Sequence, residues 1–87
     1  MKTLEEIKPV ICKFYEEILG KNPNELNFIK ITENFEYIIG QGDVSTTIPR
    51  KYIDDLIDKM ASKKDKIEAE EFILNALMSL EAKPKSD

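Results

Sequence analysis

The fold of this chain is decided by residues 26–49, which read LNFIKITENFEYIIGQGDVSTTIP. The stretch holds three runs of β-forming residues and two short separators, namely 26–32, 35–40 and 44–48 with Glu33-Asn34 and Gln41-Gly42 between them. Asn and Gly tolerate the positive φ that tight hairpin turns need, so separators of this kind favour β-hairpins. We predict a three-stranded antiparallel meander.

The two separators also assign each strand residue to a face of the sheet, because residues directly opposite each other share a face. With Glu33-Asn34 as the first loop, Phe28 lies opposite Ile39; with Gln41-Gly42 as the second, Ile39 lies opposite Val44. The predicted core face holds the apolar residues Leu26, Phe28, Phe35, Tyr37, Ile39, Val44 and Ile48. The predicted outer face holds three isoleucines among polar residues, Ile29, Ile31 and Ile38.

A helical pattern precedes the meander. Thr3 to Glu6 forms a capping-box sequence, apolar residues then recur at helical spacing, and Gly20 is a typical stop. Pro9 lies within this pattern, where a proline removes a backbone hydrogen bond and clashes with the preceding turn. We therefore expect either a kink at Pro9 or a regular helix that starts there, and a single helical turn at 22–25.

Two further helical patterns follow the meander. Pro49 suits the first turn of a helix, and an apolar stripe with helical spacing follows it up to Met60. The stripe changes phase near 62–64, which predicts a break and a third helix capped by 65–68. One continuous helix over 50–81 is the alternative, because no Gly or Pro enforces the break.

These patterns predict an α+β fold, in which a helix, a three-stranded antiparallel β-meander and two helices follow one another (αβββαα). A chain of 87 residues corresponds to one domain. We assign that domain to residues 1–81 and a flexible C-terminal tail to residues 82–87.

The composition limits the classes of function. The net charge is −4, and the 13 basic and 17 acidic residues are spread evenly, without the basic stripe typical of nucleic-acid binders. The absence of histidine removes the commonest general base and most zinc sites. The single cysteine, Cys12, cannot form an internal disulfide, which fits a reducing compartment. The first residues carry acids where a signal peptide needs an apolar run, and no apolar stretch is long enough to span a membrane.

Three local patterns that could carry chemistry have simpler interpretations. The acidic clusters Asp54, Asp55, Asp58 and Glu68, Glu70, Glu71 lie opposite the apolar stripes, as on a solvated helix face. The Gly-rich segment 40–42 lacks the Lys-Ser/Thr pair of a phosphate-binding loop and is typical of a turn. Cys12 adjoins the apolar stripe and is expected to pack there. We therefore predict a cytoplasmic protein that is not an enzyme and has no catalytic, cofactor-binding or metal-binding residue.

Apolar surface exceeds what one core needs. On the third helix one stripe is sufficient to face a core, yet further apolar residues lie on a second side of that helix. The outer face of the sheet shows the same excess. Either helices cover both sheet faces in three layers, or one of these patches binds a partner. The predicted partner-binding residues are Ile29, Ile31, Ile38, Ile67, Leu74 and Met78.

The leading functional hypothesis is a small acidic protein-binding module that acts by occupying the surface of a partner protein. In layout alone the chain resembles small phage or mobile-element proteins that inhibit host enzymes such as CRISPR effectors. One alternative is a small nucleic-acid-binding regulator that uses the basic edge around 50–66, with Arg50, Lys51, Lys63, Lys64 and Lys66. The other is a self-associating structural module, such as a homodimer. The charge distribution argues against nucleic acid, and no membrane partner is expected.

Overall fold

The computed structural model describes residues 2–80 and confirms the predicted αβββαα order. The elements are helix α1 (Leu4–Leu19), a 3-10 turn (Pro23–Glu25), strands β1 (Asn27–Ile31), β2 (Glu36–Gln41) and β3 (Val44–Pro49), and helices α2 (Arg50–Ile57) and α3 (Lys63–Ser79). The strands form one antiparallel sheet in the order β1-β2-β3. The tail predicted at 82–87 lies outside the described residues.

Helix α1 begins and ends at the predicted residues. The Thr3 hydroxyl accepts a hydrogen bond from the Glu6 backbone N–H at 3.1 Å, and the Glu6 carboxylate accepts one from the Thr3 N–H at 2.8 Å. This capping box satisfies two backbone donors of the first turn. At the other end Gly20 adopts φ 66°, a left-handed conformation that glycine allows without strain. The helix passes through Pro9, so the expected start at Pro9 is wrong.

The second hairpin turns at Gly42-Asp43, one residue later than predicted. Gln41 lies opposite Val44 and Tyr37 lies opposite Ile48, so the pairing differs by two residues from the predicted register. Gly42 adopts φ 61°, at the loop position where a type II′ turn requires glycine. Because side chains alternate with period two, this shift leaves every residue of the hairpin strands on its predicted face.

The first hairpin departs from prediction in a way that does change faces. Phe28 lies opposite Ile39 as predicted, but a bulge between Phe28 and Lys30 brings Ile31 opposite Tyr37, on the core face. The loop has three residues, 33–35, and Phe35 adopts φ 61° and is 47% exposed. The predicted positions of Ile31 on the outer face and of Phe35 on the core face are therefore wrong.

The helices form one layer against one face of the sheet. The core consists of the side chains buried between these two layers, which are Ile7, Ile11, Tyr15, Leu26, Tyr37, Ile39, Ile48, Ile53, Ile73, Ala76, Leu77 and Leu80. No described helix lies on the other face, where Ile29 is half-exposed and Lys30, Ser45 and Thr47 are exposed. The described part of the chain thus has two layers, and the three-layer alternative is wrong.

Helices α2 and α3 are separate, as predicted, but α3 starts earlier than expected. The Ser62 hydroxyl accepts a hydrogen bond from the Asp65 N–H at 3.1 Å, so Ser62 is the cap and Asp65 lies in the first turn. The predicted cap at 65–68 and the continuous helix are both wrong. The rings of Tyr52 and Phe72 stack with centroids 4.3 Å apart, which holds α2 against α3.

Candidate binding groove between the first and last helices

A concave groove of about 710 Å³ lies between α1, the end of α2 and α3. Its floor is formed by Phe14, Leu56 and Ile57, which also pack against the core. The remaining lining consists of apolar walls from α1 and α3 and a charged rim, with Val10, Ile18, Ile67 and Leu74 as walls and Lys13, Glu17, Glu70 and Glu71 as rim. We call this set of residues the groove.

The groove arises because both long helices carry two neighbouring apolar rows. On α1 one row of four-residue spacing, Ile7, Ile11 and Tyr15, is fully buried in the core. The adjacent row is Val10, Phe14 and Ile18, and it faces the groove. On α3 the same division separates buried Ile73 and Leu77 from Ile67 and Leu74 in the groove wall. Each helix therefore uses one row for the core and leaves the next partly open.

The open rows are partly exposed to solvent. Ile18 is 58% exposed and Ile67 is 46% exposed, on opposite walls of the groove. Phe14 between them is only partly exposed, because its ring reaches the core. The apolar surface of the groove is therefore continuous with the hydrophobic core below it, which distinguishes it from isolated exposed side chains.

The rim of the groove is acidic. Glu17, Glu70 and Glu71 are exposed, and Lys13 is the single basic residue among the lining residues. Within residues 2–80, none of these three carboxylates forms an ion pair. The charged lining residues of the groove therefore carry more negative than positive charge, beside an apolar floor.

The six predicted partner-binding residues do not form a single surface. Ile67 and Leu74 line the groove, whereas Met78 is half-exposed one turn further along α3 and outside it. The other three come from the sheet: Ile29 and Ile38 lie on the outer face, and Ile31 packs against the core.

The outer-face residue Ile29 has a packing role of its own. A Cβ atom added at Gly40 would lie 3.0 Å from the Cδ1 atom of Ile29, so the isoleucine side chain lies directly over this glycine. Gly40 is itself buried. The bulge that displaces Ile29 therefore places an apolar side chain where β2 has none.

Five apolar groove residues were not among the predicted partner-binding residues: Val10, Phe14, Ile18, Leu56 and Ile57. The helical spacing of the first helix places Phe14 and Ile18 in the same apolar stripe as Ile7 and Ile11 and so predicts core positions for them. The available signal was the width of that stripe, because two apolar rows exceed what one helix buries against one neighbour.

Three of the five residues of the predicted basic edge, Arg50, Lys51 and Lys66, make polar contacts within the chain. Arg50 pairs with Asp54 at 3.0 Å, and Lys51 pairs with Asp55 at 3.1 Å. The Lys66 ammonium donates a hydrogen bond to the Leu56 carbonyl oxygen at 3.4 Å, close to the end of α2. These pairs leave less free positive charge than the sequence alone indicates.

The structure gives no sign of a metal site or a reactive thiol among the described residues. Among the described residues, no three Asp, Glu, His or Cys side chains lie close enough together to hold a metal ion. Burial raises the pKa of the Cys12 thiol, and the nearby Lys8 ammonium opposes this shift only in part. A thiol with a raised pKa carries little thiolate near neutral pH, and the thiolate is the reactive form.

Two further findings concern membrane-spanning helices and similarity to known proteins. None of the helices in residues 2–80 is long and apolar enough to cross a membrane. Compared with models of known protein families, with curated proteins and with solved structures, the chain finds no match in any of the three.

Proposed function

We propose that this protein is a small, non-enzymatic protein-binding module that acts by occupying a partner's surface with the groove. One observation carries the proposal. Ile18 of α1 and Ile67 of α3 are both about half-exposed, and they line a groove whose floor packs against the hydrophobic core. Concave apolar surface of this kind marks binding sites, because covering it removes apolar area from water.

Within this proposal, the specific role is that of a phage or mobile-element inhibitor of a host enzyme such as a CRISPR effector. The αβββαα layout of the chain resembles that of such small inhibitors. Such an inhibitor works by steric occupation and needs no catalytic group. The proposed setting is the cytoplasm, where the half-buried thiol of Cys12 would stay reduced.

The proposal is tested by affinity capture from cells of the source, with the wild-type chain and three variants as bait. Ile18→Lys and Ile67→Lys each place a charge in the groove wall. Met60→Lys is the matched control, because Met60 is 88% exposed and lies outside the groove. We expect a protein that the wild type and Met60→Lys retain and that both groove variants lose.

Retention of the same protein by Ile67→Lys would contradict the proposal. Urea unfolding of each bait shows whether a loss of capture has a structural cause. Capture of nucleic acid that is independent of Ile67 but lost on replacing Lys63 and Lys64 would instead favour the regulator alternative.

A further inference from the structure

We infer that the groove receives one face of a basic amphipathic α-helix supplied by the partner. This inference rests on the proposed function. It adds the secondary structure and the charge of the segment that the groove binds. Three observations carry it: the length of the groove, the nature of its walls and the sign of its rim.

The groove has the length of about two helical turns. Val10 and Ile18 are eight positions apart on α1, which is ~12 Å at 1.5 Å per residue. Ile67 and Leu74 are seven positions apart on α3, which is ~10 Å by the same rise. An amphipathic helix presents apolar residues at positions i, i+3 or i+4, and i+7 over the same distance.

The walls favour a helix over an extended segment. A bound strand needs free backbone N–H and C=O groups on its receptor, because its own are otherwise unsatisfied. Both walls are α-helices, whose backbone groups bond within the helix. A helical ligand satisfies its own backbone groups and needs only side-chain packing, which the ridges of two helices provide.

The rim selects the charge of this helix. Glu17, Glu70 and Glu71 outnumber Lys13, and within the described residues none of the three carboxylates is paired. Lys or Arg beside the apolar stripe of the ligand would meet them. A second copy of this chain is disfavoured in the groove, because it carries a net charge of −4 and the same acidic rim.

The test is selection from a displayed library of helical peptides of about 14 residues, which cover the groove with about one turn to spare at each end. Apolar residues are held at i, i+4 and i+7 and all flanking positions are randomised. Selection uses the wild-type protein, with Ile67→Lys as the counter-selection. We expect Lys and Arg to be enriched at the flanks, and the consensus peptide to bind Ile67→Lys at least about tenfold more weakly than Met60→Lys.

A charge exchange checks that the rim is responsible. The double variant Glu70→Lys/Glu71→Lys should bind the basic consensus peptide about tenfold more weakly and should bind a copy with acidic flanks better than the wild type does. The affinity of the wild type for the basic peptide should also fall with added salt, because exposed charges are screened.

The inference is overturned if no peptide is enriched, if acidic flanks are enriched, or if the charge exchange has no effect. It is also overturned by a dimer in sedimentation equilibrium that Ile67→Lys dissociates, since a second copy would then occupy the groove. If Ile67→Lys loses the cellular partner while no helical peptide is enriched, the inference fails and the proposed function stands. If Ile67→Lys keeps that partner, both fail.

Discussion

The groove and the outer face of the sheet expose similar amounts of aliphatic side chain in very different surroundings. Ile67 in the groove wall is 46% exposed, and Ile29 on the sheet is 51% exposed. Ile67 lies beside a concave floor that packs against the core, with the carboxylates of Glu70 and Glu71 among the other lining residues. Ile29 lies on an open face beside Lys30 and covers Gly40. The exposed fraction alone therefore does not identify a binding residue, and the shape and packing beneath the side chain do.

The largest expected effect on stability comes from a comparison of two leucines of α3, one in the core and one in the groove. Leu77 is fully buried, and Leu74 is a partly exposed wall of the groove. Leu77→Ala should lower the free energy of unfolding by about 2–5 kcal/mol, through lost burial and a residual cavity. Leu74→Ala should cost about 1 kcal/mol, because less apolar area is returned to water. Equal costs in urea unfolding would place Leu74 in the core and weaken the case for the groove.

Gly40→Ala tests the role of Ile29 on the outer face. The new Cβ would lie 3.0 Å from Ile29 Cδ1 and 3.0 Å from the Val44 carbonyl oxygen. We expect a loss of about 1–3 kcal/mol, as for other overpacked sites. Ile29→Ala removes one of the two close contacts. The double variant Ile29→Ala/Gly40→Ala should therefore lose less free energy of unfolding than the two single variants lose together. Strict additivity would show that Ile29 does not lie over Gly40 in solution.

Tyr37→Phe tests the face of the sheet that the helices cover. The Tyr37 hydroxyl donates a hydrogen bond to the Lys2 carbonyl oxygen at 2.6 Å, so its loss should cost about 1 kcal/mol. Burial, with a smaller effect of the Asp54 carboxylate, raises the pKa of Tyr37 above its usual 10.0. The folded state then holds this proton more tightly than the unfolded state does. The corresponding stability is present below pH 10.0 and is lost as the pH rises through the folded-state pKa.

The wild type should therefore lose stability in alkali more steeply than Tyr37→Phe. Urea midpoints measured from roughly pH 8 to roughly pH 11 would show the two proteins converging as the pH rises. Parallel curves would mean that Tyr37 has the same pKa in both states.

The matched pair Ile29→Ser and Ile67→Ser has the smallest expected effect on stability and the sharpest bearing on the comparison. Ile67→Ser should change the free energy of unfolding by less than about 0.5 kcal/mol, because Ile67 is a surface position that is 46% exposed. Ile29→Ser should cost about 1 kcal/mol, because Gly40 loses its cover. Binding should show the opposite order, with the basic helical peptide sensitive to Ile67 alone. If the same variant had the larger effect on both stability and peptide binding, the groove and the outer face of the sheet would not differ in the way proposed.

Much of the fold could be predicted from local patterns. The capping box at Thr3, the stop at Gly20 and the β-rich stretch 26–49 each act over a few residues, so the sequence displays them directly. The second hairpin kept its predicted faces despite the later turn, because its pairing moved by an even number of residues.

The sequence-based predictions were wrong at the first hairpin, where a residue adopts an unusual backbone conformation, and they missed the groove, where distant segments meet. Phe35 adopts a left-handed φ that an aromatic residue rarely takes, so nothing in the sequence favoured a three-residue loop there. The bulge at Ile29 then moved Ile31 to the core face. The groove depends on how α1 packs beside α3. Residue spacing predicts which residues share a face of one helix, but it does not predict that Ile18 and Ile67, which are far apart in the sequence, line the same groove.

The same bulge also affects how the sheet meets other chains. β1 and β3 are both edge strands, and an edge strand offers unpaired backbone groups on which a foreign strand can add. On β1 the bulge and the adjacent Lys30 interrupt the regular edge, and on β3 Pro49 lacks a backbone donor. Both features are of the kind that hinders the addition of a foreign strand at a sheet edge. Under the proposed function, the surface used for association would instead be the groove on the helical layer.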